Sequence, residues 1–153
     1  MISKQELADG IRFAGRRCAE VARHTKDWDR KLGHEWTTRD AFVHVAETGP
    51  GLQGFAPMID SGMLSGLGAQ QLAQMNAQTI AQAAGKSKDE IIQAMVDGYN
   101  ASAAHVETMD EGDLAKVVKL GDYEMPKAEI LAQIWIHHAI AHAYEASYRW
   151  PLG

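Results

Sequence analysis

The sequence predicts an all-α protein, a four-helix bundle with a long crossover between the second and third helices. Three observations lead to this prediction. Helix-capping patterns recur along the chain, an apolar stripe with helical period follows each of them, and a glycine-rich stretch separates helix 2 from helix 3. The length of 153 residues suits one domain with a single core, so residues 1–153 are expected to form one folding unit.

The first helix begins almost at the N-terminus. Ser3 and Glu6 match the capping box, in which a hydroxyl and an acid one turn apart satisfy each other's backbone N–H groups. The apolar stripe that follows predicts a helix to about His24. Cys18 lies in this stripe and is expected to be a small buried residue.

The second helix has the same kind of start. Thr37 and Asp40 form a capping pattern, and the apolar stripe predicts a helix to about Gln53 that carries His44 on its inward face. Trp36 precedes the cap and is expected to pack against the end of this helix.

The crossover contains too many glycines and prolines for one continuous element. Its latter part, 69–84, is rich in glutamine and alanine with helical apolar spacing and predicts a shorter helix. The opening part, 57–68, is expected to be mobile.

The second half of the chain predicts two more long helices around an irregular stretch. Ser87 and Glu90 cap the third helix, and Pro126 starts the fourth, because its missing N–H costs nothing in a first helical turn. Between them, 109–125 is expected to hold a short extended pair around Val117–Leu120 and Tyr123.

Composition excludes several classes of partner. The net charge is −5, and lysine and arginine are scattered without a basic stripe, so nucleic acid is not an expected ligand. A single cysteine excludes an internal disulfide, and neither a secretion signal nor a membrane-spanning run is recognisable. We therefore expect a cytoplasmic protein without membrane contact that acts on a small molecule.

The main functional signal is a set of three histidines. His138 and His142 are four residues apart and point in nearly the same direction from one helix, so both can reach one metal ion. His44, in the inward stripe of helix 2, supplies a third imidazole. Three neutral imidazoles leave a coordination position open, as in catalytic zinc sites.

The remaining histidines are expected to have other roles. His24, His34 and His105 have no partner at ligand spacing and are predicted to be solvated, while His137 is interpreted as flanking the site.

Two acids follow ligand positions by three residues. Glu145 follows His142, and it is predicted to orient an imidazole or to act as the catalytic proton acceptor, with a plain surface salt bridge as the alternative. Glu47 follows His44 and is a weaker candidate. A di-metal site is disfavoured, because such bundles use the reverse Glu-x-x-His order with further acids on the other helices.

The run Trp36-Thr37-x-x-Asp40-x-x-x-His44 with His138-x-x-x-His142 resembles the DinB-like superfamily, which includes YfiT-type proteins, the N-terminal domain of mycothiol-dependent maleylpyruvate isomerase and bacillithiol S-transferases. The resemblance covers nearly the whole chain. It implies a four-helix bundle, a divalent metal site at His44, His138 and His142, a homodimer and, in some members, transfer of a low-molecular-weight thiol. In many relatives the three residues after the last histidine ligand are Arg-Gly-Gln, whereas in this chain they are Ala143-Tyr144-Glu145.

The leading functional hypothesis is a metal-dependent S-transferase or isomerase that activates a low-molecular-weight thiol, with the segment 57–68 closing over the site. Imidazole ligands suit several divalent ions, and zinc or nickel is preferred here. Two alternatives stay open: a non-catalytic, stress-related metal-binding protein, and a metal-dependent hydrolase that activates water at the same position.

Overall fold

The computed structural model describes residues 2–33, 35–66, 68–120 and 122–147, and most of these residues are helical. The helices are α1 (Lys4–His24), α2 (Thr38–Thr48), α3 (Leu52–Asp60), α4 (Ala69–Gln82), α5 (Lys88–Thr108), α6 (Glu111–Ala115), α7 (Lys127–Ala132) and α8 (Ala139–Ser147). A π-helical segment, Gln133–His138, joins α7 to α8 without a break, so 127–147 is one continuous helical rod. Short 3₁₀ turns occupy Gly49–Gly51 and Met63–Gly66.

The three predicted capping boxes are confirmed. In each, the hydroxyl at the cap accepts from the backbone N–H three residues on, and the acid at that position accepts from the backbone N–H of the cap. These reciprocal bonds satisfy donors that a helix end otherwise leaves open. They fix the starts of α1, α2 and α5.

The core lies between the long helices. α1 and α2 each pack against both α5 and the α7–α8 rod. The largest fully buried side chains come from all four of these elements and from α3: Leu7, Ile11, Phe42, Val43, Leu52, Ile91, Met95, Tyr99, Lys127, Ile130, Leu131 and Trp135. The all-α prediction is thus confirmed at the level of class.

The second helix is shorter than predicted. Its α-helical part ends at Thr48, where the 3₁₀ turn Gly49–Gly51, which contains Pro50, joins it to α3. This turn is packed on α5, where a Cβ on Gly98 would lie 2.7 Å from the Pro50 ring. The Gly49 carbonyl accepts from Trp135 Nε1 at 3.0 Å and from a buried serine hydroxyl, so long-range bonds stabilise the turn.

The opening part of the crossover contains helical turns that the sequence did not predict. Of the segment expected to be mobile, the first residues belong to α3 and the next form a 3₁₀ turn with Leu64 buried. Asp60 also binds the buried amine of Lys127 at 2.6 Å, which ties the end of α3 to α7. The predicted crossover helix is confirmed as α4.

The irregular stretch before the last helix contains the predicted extended pair. Strands β1 (Val117–Leu120) and β2 (Tyr123–Pro126) are antiparallel, with Val117 opposite Pro126. Pro126 is both the last residue of β2 and the N-cap of α7. Asp110 caps the additional short helix α6. Across the described ranges, no helix combines the length and apolar character that crossing a membrane requires.

Candidate metal centre

The structure brings His44, His138 and His142 together. The Nε2 atom of His138 lies 3.3 Å from that of His44 and 3.0 Å from that of His142. One ligand nitrogen from each ring lies within 4.8 Å of the other two. In the part of the chain that the structure describes, these residues form the one cluster of three or more histidine, cysteine or acidic side chains that could hold a metal ion.

The fold positions His44 from the start of α2. The Thr37 capping box sets where this helix begins, and His44 follows two turns later on the buried face beside Ala41 and Val45. Its ring is 8% exposed. The helix is linked to the end of α8, because Arg30 just upstream donates to the carbonyls of Glu145 and Ala146.

The π-helical segment positions the other two ligands. His138 is its last residue, and His142 follows one turn later in α8. A π turn is wider than an α turn and changes the direction of every side chain after it. Trp135 therefore reaches the Gly49 carbonyl while the next turn carries two imidazoles to α2. π segments of this kind are frequent at functional sites.

The spacing of the nitrogens fits a metal ion. Ligand nitrogens at 2.0–2.1 Å around a tetrahedral ion stand about 3.3 Å apart, close to the two short separations found here. Without a cation, the lone pairs of neighbouring Nε2 atoms face each other unless one of the two atoms carries a proton. The ring tautomers can place such a proton in only some of these contacts. The donor set of three imidazoles suits zinc, nickel, copper or iron.

Burial keeps two of the rings, those of His44 and His138, neutral, as metal ligands must be. Desolvation, with smaller contributions from the two neighbouring imidazoles, lowers the pKa of His44 to about 3. The pKa of His138 is lowered to about 4, again mainly by burial and then by His142. The Ile134 backbone opposes this shift in the pKa of His138.

Trp36 belongs to the site, which the sequence did not predict. Its ring centroid is 5.0 Å from that of His44 and 5.6 Å from that of His142. The Trp36 carbonyl accepts from the backbone N–H of Leu32, and this hydrogen bond holds the residue in place. Trp36 thus covers two of the three imidazoles in addition to preceding the helix cap.

Glu145 and Glu47 have different partners. The Glu145 carboxylate lies 3.4 Å from Nδ1 of His142, the ring atom opposite the Nε2 cluster, without the geometry of a normal hydrogen bond. Glu47 instead binds the Lys86 amine at 2.6 Å. Of the two His-x-x-Glu pairs, only the one in α8 therefore has its acid against the ligand ring.

The other candidate side chains lie outside the cluster. Cys18 is buried, donates to the Ala139 carbonyl at 3.4 Å and has a pKa raised to about 12 by desolvation, which confirms the prediction of a small core residue. His137 is exposed and pairs with Gln133, and His24 is exposed beside Glu20. His105 is half-buried, and His34 lies outside the described residues.

No protein-family model matches the chain, and neither a curated protein nor a solved structure is significantly similar to it. The resemblance to DinB-like proteins therefore stays a prediction from the motif residues.

Proposed function

We propose that this protein is a DinB-like four-helix bundle that binds one divalent ion, zinc or nickel by preference, and uses it to activate a low-molecular-weight thiol for S-transfer or isomerisation. The convergence of three Nε2 atoms from α2 and the α7–α8 rod is the observation that supports this proposal. An ion held by three imidazoles keeps a position open and lowers the pKa of a thiol bound there, so that a nucleophile exists at neutral pH.

The chain's own residues would prepare the site. Burial keeps His44 and His138 neutral at pH 7, so no proton has to leave them before the ion binds. Glu145 would hold the proton of His142 on Nδ1, which leaves the Nε2 lone pair for the ion. Trp36 would exclude water from the faces of two ligand rings. A role of Glu145 as catalytic base stays a prediction.

The metal is tested with untagged protein and elemental analysis. We expect about one ion per chain in the wild type and after His137→Ala, and less than a tenth of that after His138→Ala. His137→Ala is a matched control, because it removes the adjacent, exposed imidazole. Metal-free wild type that takes up no zinc, nickel or cobalt would contradict the proposal.

The thiol is tested by titrating cobalt-loaded protein with glutathione, mycothiol and bacillithiol. A sulfur-to-cobalt absorption band with one of them, together with consumption of that thiol by an electrophile, supports S-transfer. The contact of Trp36 with two ligand rings favours a non-catalytic, stress-related metal-binding protein as the second candidate, and a bound ion without any thiol response would support it.

A further inference from the structure

A loop residue binds both of the helices that carry the histidine cluster. Arg30 lies between α1 and α2 and is half-buried. Its guanidinium donates to the Ala146 carbonyl at 2.7 Å and to the Glu145 carbonyl at 3.3 Å, both in the last turn of α8. Arginine suits this place, because its N–H groups can bind the last carbonyls of a helix and its charge is favourable at the negative end of the helix dipole.

The main chain of the same residue holds the start of α2. The Arg30 carbonyl accepts from the backbone N–H of Thr38 at 3.0 Å, and Thr38 is the first residue of this helix. Thr38 is 0% exposed, and its hydroxyl lies 3.4 Å from both the Arg30 carbonyl and the Ala146 carbonyl. Arg30, Thr38 and Ala146 therefore form a closed set of contacts that joins α2 to α8.

These contacts lie close to the ligands along both helices. Thr38 precedes His44 by less than two helical turns, and Ala146 follows His142 by about one turn. A displacement of either helix end is therefore passed on to the ligand that the helix carries. Metal sites need ligand distances that are correct to about 0.2 Å, so a small change in the spacing of α2 and α8 is sufficient to weaken binding.

Arg30 also holds the backbone of the acid beside the ligand ring. It binds the main-chain carbonyl of Glu145, whose carboxylate lies 3.4 Å from Nδ1 of His142. Fixing this main chain limits the positions that the carboxylate can reach. Residues outside the ligand set commonly tune metal affinity by such indirect contacts.

We infer, on the basis of the proposed metal site, that Arg30 is a positioning residue for the metal centre. Its main chain fixes the start of α2 and its side chain fixes the end of α8, so that it sets the separation of His44 from His142. It acts through Thr38, Glu145 and Ala146 rather than by touching the ion.

Arg39 provides a matched control in the same helix. It is the second residue of α2, and its guanidinium donates to the carbonyls of Ala83 and Lys86, directly after α4. Both arginines thus join α2 to the end of another helix, but α4 carries none of the three histidines. A general loss of contacts between helices would affect both variants, whereas a loss of ligand positioning would affect the Arg30 variant alone.

The test measures zinc affinity by chelator competition and the absorption spectrum of the cobalt-loaded protein. We expect Arg30→Met to weaken zinc binding about 10-fold, the lower end of the range for residues outside the ligand set, and to displace the cobalt bands. Arg30→Lys keeps the charge but not the planar fork, so its affinity should lie between those of Arg30→Met and the wild type. Arg39→Met should keep the affinity and the spectrum of the wild type.

Urea unfolding of the metal-free variants checks that they fold. Wild-type affinity and spectrum in Arg30→Met would overturn the inference, and so would an equal loss of affinity in Arg39→Met. If Arg30→Met does not fold, Arg30→Lys decides, because wild-type affinity and spectrum in that variant would overturn the inference as well. A wild type that binds neither zinc nor cobalt would overturn the proposed function together with this inference, whereas normal binding by every variant would overturn only the inference.

Discussion

At the scale of single residues, the site depends on imidazoles that burial keeps neutral. His44 combines a nearly closed environment with two neighbouring rings, and both features penalise its protonated form. The metal-free protein should therefore be sensitive to acid well above the pH at which most proteins unfold.

We predict that the metal-free protein loses stability as pH falls below about 6.5. The unfolded chain binds protons at histidines near that pH, whereas the folded pKa values of His44 and His138 are about 3 and about 4. Stability is therefore fully present above the unfolded pKa and falls by about 1.4 kcal/mol per pH unit for each histidine. Urea unfolding between pH 7 and pH 5 measures this loss, and His44→Leu should reduce the slope. An unchanged midpoint over this range would show that the rings are not buried as described.

The two acids that follow ligand positions give a matched pair of variants. We predict that Glu145→Gln lowers metal affinity about 10- to 100-fold, because a carboxylate that orients a ligand imidazole has an effect of this size. Glu47→Gln should leave the affinity unchanged, since Glu47 binds Lys86 instead. Competition with a chromogenic chelator measures both. Equal effects of the two variants would exclude an orienting role specific to Glu145.

At the scale of elements, the 3₁₀ turn that contains Gly49 and Pro50 packs directly on α5. We predict that Gly98→Ala destabilises the protein by about 1–3 kcal/mol, the usual cost of overpacking, although alanine is the better helix former. The new Cβ would lie 2.7 Å from the Pro50 ring and 2.9 Å from its nitrogen.

Gly54→Ala is the control for Gly98→Ala, and urea unfolding measures the free energy of unfolding of both variants. A Cβ at Gly54 meets nothing within 4 Å, so this variant should be more stable than the wild type by about 0.5–1 kcal/mol. If Gly98→Ala were also stabilising, the close contact of α5 with this 3₁₀ turn would be wrong.

At the scale of the whole molecule, one buried amine links three separate elements. Lys127 is 1% exposed, and its Nζ atom lies 2.6 Å from Asp60 on α3 and 2.9 Å from Asp113 on α6. Hydrogen bonds from Lys127, and next from Lys116, hold the pKa of Asp113 below its usual value. The crossover, the hairpin region and the last helix thus share one ionic contact.

We predict that Lys127→Met lowers the free energy of unfolding by about 1–3 kcal/mol. The methionine keeps most of the buried stem, and the two acids are partly exposed, so the loss should stay below that of a fully buried ion pair. Lys116, which is 65% exposed, is the other amine that binds Asp113. Lys116→Met should therefore lower the free energy of unfolding by less than about 0.5 kcal/mol. Thermal unfolding of both variants checks this, and equal losses would contradict a special role for the buried amine.

Local patterns in the sequence were sufficient to predict much of this structure. The capping boxes, α4 and the hairpin follow from residues within a few positions of one another, and their spacing predicted them correctly. The three histidines were also found in this way, since helical spacing places His138 and His142 side by side and His44 on an inward face.

Long-range contacts decided what the sequence did not predict. Gly98 leaves room for Pro50 in the turn after α2, Asp60 at the end of α3 binds Lys127, and Trp36 lies against two imidazoles from different helices. The sequence by itself therefore determined where the capped helices begin and which side chains could bind a cation. Only the tertiary structure decided where the last helix widens and what covers the site, because these features depend on partners distant along the chain.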